Sequence, residues 1–336
     1  MPVPSPPLVV LGASAGGVEA LSRVVSRLPA DLPAAVFVVL HIPAHSPSQL
    51  DAILDRASPL PATTARDGDP IEPGRIYVPE ADRHLMVDEE TVRVTYGPRE
   101  GRLRPSVDVL FRSAAAAFSR RAVGVVLSGT LDDGTSGLWN IKDRGGIALV
   151  QDPATAMFAG MPESAIRHVD VDAVMAPAEL AQEIDRRVRA MDDTPEQRDV
   201  PERLRIENLI AREGNGLQAG VMKLGVISPN TCPECHGVLV EIREGSILRY
   251  RCHTGHSYSL EALLADVDHC IQARLWDTVR VVEERILLLR QMADLAAGPA
   301  EASAHLADAD ETERRLRPLR DLALDPRLVG YASVRR

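Results

Sequence analysis

Gly12-Ala13-Ser14-Ala15-Gly16-Gly17 is the stretch that decides the fold. The apolar run 8–11 precedes it, and a helical pattern begins after it, near Val18. This order predicts a strand, a glycine-rich turn and a helix. In an open α/β sheet such a turn lies at the carboxyl end of its strand, where ligands bind. The glycines let the backbone bend tightly, and Ser14 is the one side chain of the turn that can do chemistry.

Three interpretations of this turn compete. A dinucleotide site needs the spacing G-x-G-x-x-G, but Ser14 stands where the middle glycine would be. The segment 12–16 fits G-x-S-x-G, the nucleophile elbow of serine hydrolases. The third interpretation is a turn with only a packing or phosphate-binding role. The pentapeptide alone does not decide between them.

The composition excludes several classes of function. The 336 residues allow about two domains, and a formal net charge of −10 with 3% aromatic residues argues against a nucleic-acid partner. No apolar run approaches the ~20 residues of a membrane span, and the first residues lack the pattern of a signal peptide. We therefore expect a cytoplasmic protein without membrane insertion. Four cysteines, two of them in a C-x-x-C pair, favour a metal site in a reducing compartment.

Residues 8–190 alternate between apolar runs and helical patterns. Buried strands are predicted at 9–11, 35–40, 122–127 and 147–150, and helices at 18–28, 47–57, 107–118, 136–144 and 177–191. The segment 59–98 is richer in turns, with strand pieces at 76–79 and 85–87. This order predicts an α/β fold, in which a doubly wound, mostly parallel sheet carries helices on both faces.

Ser14, His41 and Asp133 each follow the end of a predicted buried strand. Because the carboxyl ends of the strands share one edge of a doubly wound sheet, these three residues can converge. Serine becomes a good nucleophile when a base takes its proton, which His41 would do. A buried carboxylate at Asp133 would fix the imidazole tautomer and stabilise its charged form. The constellation therefore predicts nucleophilic acyl chemistry.

Each of these residues also has a purely structural interpretation. His41 would then only close a strand end, and Asp133 would only cap the following helix. Asp132 is an equally polar neighbour, and spacing alone does not choose between the two aspartates. The order Ser…His…Asp also differs from the Ser…Asp…His of α/β-hydrolases, so the match to the nucleophile elbow does not extend to that topology.

Backbone N–H groups of the glycine turn, at Ala15 and Gly16, and others near Thr130 are candidates for an oxyanion site. Such groups stabilise the negative charge that develops on a carbonyl oxygen during acyl transfer. The prediction needs no catalytic cofactor.

Six motifs along residues 8–190 resemble the catalytic domain of chemotaxis protein-glutamate methylesterases of the CheB type. They are Gly12-Ala13-Ser14-Ala15-Gly16-Gly17, His41-Ile42-Pro43, Arg104-Pro105-Ser106-Val107-Asp108, Leu127-Ser128-Gly129-Thr130-Leu131-Asp132-Asp133-Gly134, Gln151-Asp152-Pro153 and Met161-Pro162-Glu163-Ser164-Ala165. The resemblance implies a three-layer α/β/α domain that hydrolyses γ-glutamyl methyl esters on methyl-accepting chemoreceptors and releases methanol. Some members also deamidate receptor glutamines.

The resemblance assigns the nucleophile to Ser14, the base to His41 and the triad acid to Asp133, because the family's aspartate directly precedes glycine. Two positions depart from the better-known members: Thr130 stands where they have methionine, and Ala15 where they have a polar residue. Those members also carry an N-terminal phosphoryl-receiving domain. This chain begins with the esterase strand, so we expect any such control to come from a separate phosphorelay or receiver protein.

A second chemical signal follows the esterase segment. Cys232 and Cys235 form a C-x-x-C knuckle, and Cys252 with a following histidine completes the donor set of a four-coordinate zinc site. His256 is the preferred fourth ligand and His253 the alternative. The strands predicted between the two halves, 238–242 and 247–250, are typical of a zinc ribbon. Four protein ligands leave no open position, so the predicted zinc is structural.

The chain thus divides into an esterase domain at 1–191, a linker at 192–230, a zinc-ribbon-like module at 231–258 and a helical tail at 259–336. We expect weak structure over 204–230. A long helix at 260–296 carries one apolar stripe, and a shorter helix at 301–324 follows a Gly-Pro break, so we expect a helical hairpin. The stripe predicts either homo-oligomer formation or docking on the esterase domain.

Three functions are compared. The first is a serine esterase that demethylates glutamate methyl esters of a methylated chemoreceptor-type protein. The second is a scaffolding or regulatory module with a vestigial esterase site, acting through the zinc module and the helical arm. The third, nucleotide binding at the glycine turn, is weakened by the missing glycine.

Overall fold

The computed structural model describes residues 6–42, 48–192, 199–325 and 327–328. The esterase segment contains nine strands: β1 (Leu8–Ala13), β2 (Ala35–Leu40), β3 (Ala62–Thr64), β4 (Ile76–Val78), β5 (His84–Val87), β6 (Val92–Thr95), β7 (Ala122–Val126), β8 (Ile147–Gln151) and β9 (Ala173–Met175). Seven of them form one parallel sheet in the order β3-β4-β2-β1-β7-β8-β9. The remaining two, β5 and β6, pair as an antiparallel hairpin.

Helices cover both faces of the seven-stranded sheet. They are α1 (Gly17–Val25), α2 (Leu50–Ala57), α3 (Val107–Phe118), α4 (Thr135–Asp143), α5 (Gly160–His168) and α6 (Pro177–Arg189). Alternate residues of β1 point to opposite faces, as the two-residue period of a strand requires. Val9 and Leu11 pack in one core with α1, α2 and α6, whereas Leu8 and Val10 pack in the other with α3 and α4. The predicted three-layer α/β/α fold is confirmed.

The strand order reverses next to β1. From β1 the chain first builds outward through β2, and it then returns to place β7 on the other side of β1. Such a switch point opens a crevice at the carboxyl ends of the strands, where open α/β sheets bind their ligands. Ser14 follows β1 directly, and the loop that contains Asp133 follows β7.

The segment after the esterase sheet is more ordered than its sequence suggested. We expected weak structure over 204–230, but that segment contains most of α7 (Glu202–Glu213), the short α8 (Gly216–Ala219) and the start of β10 (Val226–Thr231). Its apolar residues are interspersed with charged residues and glycines. Leu204 nevertheless packs in the core beside α3, and Ile206 and Ile210 pack against strands further along the chain. Within 192–230, residues 193–198 lie outside the described residues.

The C-terminal sheet has four antiparallel strands in chain order: β10, β11 (Val238–Glu244), β12 (Ile247–Cys252) and β13 (Ser257–Ser259). The hairpin predicted around residue 245 is therefore present, with both strands two residues longer at their carboxyl ends than expected. Here "C-terminal module" means residues 199–262, which belong to the same compact unit as the esterase sheet, Met1–Ala262.

A second compact unit, Leu263–Arg336, is helical. Its helices are α9 (Leu260–Asp294), which begins just before the unit, and α10 (Pro299–Leu324). Val279, Ile286 and Leu289 of α9 are buried with Ala309 and Leu316 of α10, so the two helices pack as a hairpin. In the described part of the chain, every helix is too short or too polar to cross a membrane.

Candidate active site and metal centre

His41 and Asp133 meet at the carboxyl edge of the parallel sheet. His41 follows the last residue of β2, and its backbone N–H donates to Ala13 O of β1 at 3.2 Å. The imidazole Nε2 lies 2.7 Å from Asp133 Oδ2, and the two side chains are 9% and 11% exposed. Because Nε2 faces the carboxylate, Nδ1 is the ring nitrogen left for a hydroxyl group.

The first turn of α3 holds the Asp133 carboxylate. Oδ2 also accepts the Val107 N–H at 2.7 Å, and Oδ1 accepts the Asp108 N–H and the Ser106 hydroxyl, both at 3.0 Å. Burial alone would raise the pKa of Asp133, but the hydrogen bond and positive charge of His41 and the two amide donors outweigh it, so the pKa is lowered. Asp133 is therefore a fixed, ionised acceptor beside the imidazole.

The turn that carries Ser14 is built so that two loops approach closely. The Ser14 N–H donates to Ser128 O in the loop after β7 at 2.9 Å, and Gly16 adopts a left-handed conformation with φ 71°. A Cβ at Gly129 would lie 2.9 Å from Ser14 Cβ and 2.0 Å from Met161 Sδ. Glycine at position 129 is thus required for the loop to pass beside the serine.

Ser14, His41 and Asp133 line one cavity of about 110 Å³ at this edge. Ser14 is half-buried, so part of its side chain is accessible from the cavity. Thr130 lies on the same cavity. Among the described residues, the backbone N–H groups of Ala15, Gly16 and Thr130 have no protein acceptor, so they are available to a ligand oxygen.

The two adjacent aspartates have separate partners. Asp132 accepts the Ser259 hydroxyl at 2.9 Å, whereas Asp133 faces His41. Burial raises the pKa of Asp132 to about 6, against the hydrogen bond from Ser259 and with the help of the negative charges of Glu261 and Asp133. The geometry distinguishes two residues that spacing left equivalent.

Cys232, Cys235, Cys252 and His256 form the second cluster, and one potential ligand atom from each lies within 4.8 Å of every other. The Sγ atoms of Cys235 and Cys252 are 3.6 Å apart, and Nδ1 of His256 is 3.6 Å from the sulfurs of Cys232 and Cys252. Tetrahedral Zn–S bonds of about 2.3 Å separate two sulfurs by about 3.8 Å, so this donor set fits zinc. The His253 ring instead packs over Gly237.

The cluster and the cavity share a strand. His256 immediately precedes β13, and Tyr258 of that strand places its hydroxyl 3.5 Å from the Cys232 sulfur and 2.8 Å from Glu234 Oε1. Ser257, Tyr258 and Ser259 also line the cavity that contains Ser14. One end of β13 is therefore fixed at the thiol cluster and the other at the aspartate loop.

The fold and the site together define an α/β enzyme with a serine, a histidine and an aspartate at a switch point. The profile of the CheB methylesterase family matches residues 9–184. The chain belongs to this family, and it is a protein-glutamate methylesterase of the CheB type, a carboxylic ester hydrolase.

Individual relatives agree with the family. A Leptospira interrogans protein, provisionally named a protein-glutamate methylesterase/protein-glutamine glutaminase, is 36% identical over 175 residues, which cover 52% of this chain and 91% of that protein. An Anaeromyxobacter dehalogenans protein of the same name is 43% identical over 181 residues, 53% of each chain. The crystal structure of the Thermotoga maritima CheB methylesterase catalytic domain is 30% identical, with a TM-score of 0.52, and covers 54% of this chain and 98% of that one.

Sequence reasoning missed the donors that hold Asp133 and the distant strand that borders the cavity. Ser106 carried a usable signal, since a serine before a helical pattern with an acidic residue in its first turn is a common helix start. Ser259 carried none, because its contact to Asp132 spans 127 positions of the chain.

Proposed function

We propose that this chain is a serine esterase that removes methyl groups from γ-glutamyl methyl esters of a chemoreceptor-type protein. Ser14 is the nucleophile, His41 the general base and Asp133 the residue that orients His41. The observation that carries the proposal is the 2.7 Å contact between His41 and Asp133, in a cavity that Ser14 also lines. The names of the relatives, which are protein-glutamate methylesterases, support the choice of substrate.

The proposed reaction has two halves. Ser14 Oγ attacks the ester carbonyl carbon while His41 takes its proton, and the resulting oxyanion is bound by free N–H groups at Ala15, Gly16 or Thr130. The C–O bond to the methoxy group then breaks, and His41 returns the proton to release methanol. In the second half, His41 deprotonates a water that attacks the acyl-serine, which frees a glutamate carboxylate and the Ser14 hydroxyl.

The same machinery accounts for the second activity in the relatives' names. An amide carbonyl of glutamine replaces the ester, and the protonated His41 delivers its proton to the leaving nitrogen, so ammonia is released instead of methanol. No catalytic cofactor takes part in either reaction.

We propose a structural zinc held by Cys232, Cys235, Cys252 and His256, whose only chemical contribution is to crosslink the C-terminal sheet.

Two further partners belong to the proposal. A separate phosphorelay or receiver protein would control the enzyme. A second copy of the chain would bind through the helical unit, where Leu264, Val267 and Ile271 of α9 are each at least 36% exposed. Apolar side chains at this helical spacing are typical of a partner-binding face.

The test is methanol release from methylated receptor by the full chain and by Ser14→Ala. We expect a loss of at least about 10³-fold in kcat, because a triad without its nucleophile keeps only oxyanion and binding contributions. Ser22→Ala is the matched control, since Ser22 lies on α1 and bonds only to its own helix. A fluorophosphonate should label Ser14 in the wild type. Wild-type activity in Ser14→Ala would reject Ser14 as the nucleophile, whereas a wild-type chain that neither labels nor releases methanol would favour the scaffolding alternative.

A further inference from the structure

The cavity around Ser14 is built from two parts of the chain. The C-terminal module contributes Ile247, Arg249, Ser257, Tyr258, Ser259 and Ala262 to its lining. All of them lie beyond residue 184, where the match to the methylesterase family ends. Part of the pocket beside the proposed nucleophile is therefore built from residues outside the family match, so its shape does not follow from the matched domain alone.

Hydrogen bonds fix β13 against the esterase segment. The Gly101 N–H donates to Ser257 O at 2.6 Å, and the Ser257 N–H donates to Arg99 O at 3.3 Å. Two residues further, the Ser259 hydroxyl donates to Asp132 Oδ1 at 2.9 Å. Since Asp132 is bonded directly to Asp133 in the chain, the strand is held within one residue of the triad acid.

A buried charge network also attaches the C-terminal module to the esterase segment. Arg249 and Arg251 of β12 and Arg112 of α3 are paired with Glu100, Glu207 and Glu244 at distances of 2.6–3.1 Å. None of these six side chains is more than 5% exposed, and their formal charges cancel. Separating the module would leave desolvated charges without partners, which is strongly unfavourable. The module is therefore a fixed wall and not a lid.

We propose that residues 247–262 form a specificity-determining wall, which limits the size of the ester group that can lie beside Ser14. This inference rests on the proposed function. The cavity of about 110 Å³ is smaller than the ~150 Å³ engineered cavity in which benzene binds. A methyl ester is accepted, and an ester with a phenyl ring on its alcohol carbon is rejected by contact with the wall.

Two substitutions change the cavity in opposite directions without touching the triad. Ile247 is 7% exposed at the start of β12, so Ile247→Ala enlarges the cavity. Ala262 is 9% exposed at the start of α9, so Ala262→Leu reduces it. Ser259→Ala removes the bond to Asp132 and loosens the wall. Ile227→Ala is the matched control, because Ile227 is a 67% exposed residue of the same sheet and lies outside the cavity.

The experiment measures kcat/KM of the full chain for one receptor-helix peptide carrying γ-methyl, ethyl, propyl or benzyl glutamate. We expect the wild type to prefer methyl over benzyl by at least about 10-fold, the lower end of the discrimination that an apolar pocket achieves for one methylene group. Ile247→Ala and Ser259→Ala should shift the size limit to longer esters, and Ala262→Leu should shift it to shorter ones. Ile227→Ala should keep the wild-type order.

The proposal that residues 247–262 limit ester size is overturned if Ala262→Leu and Ser259→Ala have the same ester preferences as the wild type. In this case Ser14 must still be labelled by a fluorophosphonate. If Ile247→Ala does not fold, Ala262→Leu and Ser259→Ala still decide whether the wall sets the ester size. Activity that survives Ser14→Ala is a separate result, which rejects the proposed nucleophile whatever the ester preferences are.

Discussion

Asp132 and Asp133 are neighbours in the chain with opposite electrostatic environments. Asp133 accepts four hydrogen bonds, one from His41, and its pKa is lowered. Asp132 accepts one hydroxyl, from Ser259, and its burial raises its pKa to about 6. Two adjacent aspartates therefore differ: Asp133 is held ionised, whereas burial makes Asp132 costly to ionise.

Because the pKa of Asp132 is raised, its titration should make the free energy of unfolding depend on pH. Between pH 4 and 6 the unfolded chain has lost the Asp132 proton while the folded chain still holds it, so the free energy of unfolding falls as pH rises. The largest fall in the free energy of unfolding that Asp132 can cause is about 3 kcal/mol, since its pKa is 3.8 in the unfolded chain and about 6 in the folded chain. Asp132→Asn should remove this fall and still accept the Ser259 hydroxyl.

Urea unfolding at pH 4.5 and pH 7.5 measures the effect. The gain of Asp132→Asn over the wild type should be larger at pH 7.5 than at pH 4.5. Asp88→Asn, at a 49% exposed carboxylate, is the control and should show no such change. The same stability gain of Asp132→Asn at pH 4.5 and at pH 7.5 would contradict a raised pKa of Asp132.

Individual elements were predictable where burial is continuous. The apolar runs of β1, β2 and β7 were identified because a parallel strand buried on both faces has no polar positions. The helix predicted over 107–118 is α3, with the same bounds. The short edge strands β3 and β9 and the helix α5 were not predicted, because three-residue strands and a helix with a proline in its first turn carry little periodicity.

The segment 202–213 was missed for a different reason. Its sequence, ERLRIENLIARE, is rich in charge, which usually indicates a solvated face or a linker. Glu207 of this helix is instead buried, and it pairs with Arg112, Arg249 and Arg251, which lie 42–95 positions away in the chain. A local pattern cannot contain partners at that distance.

The thiol cluster predicts an element-scale response to metal removal. Chelation should release about one zinc per chain and leave β10–β13 without its crosslink, since binding energy at such a site is also folding energy. Hydrogen exchange of these strands should accelerate, whereas β1 and β2 should stay protected. Cys235→Ser should lose the metal, and Cys270→Ser, outside the cluster, should keep it. Elemental analysis that finds no zinc in the wild type purified without chelator would rule out the site.

For the whole molecule, the edge of the sheet was predictable and the surroundings of the cavity were not. Placing Ser14, His41 and Asp133 after three buried strands needed only the rule that parallel strands end together. The spacing of residues could not choose between Asp132 and Asp133. The contacts that distinguish them, from Ser106 and Val107 to Asp133 and from Ser259 to Asp132, depend on tertiary packing.

The charge network predicts that losing one of its buried carboxylates destabilises the compact unit that contains the esterase sheet and the C-terminal module. Glu207→Gln leaves three buried arginines with two carboxylates, so the free energy of unfolding should fall by about 3–5 kcal/mol. Glu202→Gln, one turn earlier on α7, removes a pair with Lys223 that is about 70% exposed, and it should change stability by less than about 1 kcal/mol. Urea unfolding followed by circular dichroism compares the two. Equal stability of both variants would contradict a structural role for the network.

The bond between Ser259 and Asp132 joins residues that a ribosome adds 127 steps apart. A nascent chain that has just emerged with its whole parallel sheet already carries the serine, the imidazole and the carboxylate, but its cleft is still open on one side. The selectivity among esters that we propose would therefore be acquired late in translation, when the last strand of the small sheet is synthesised.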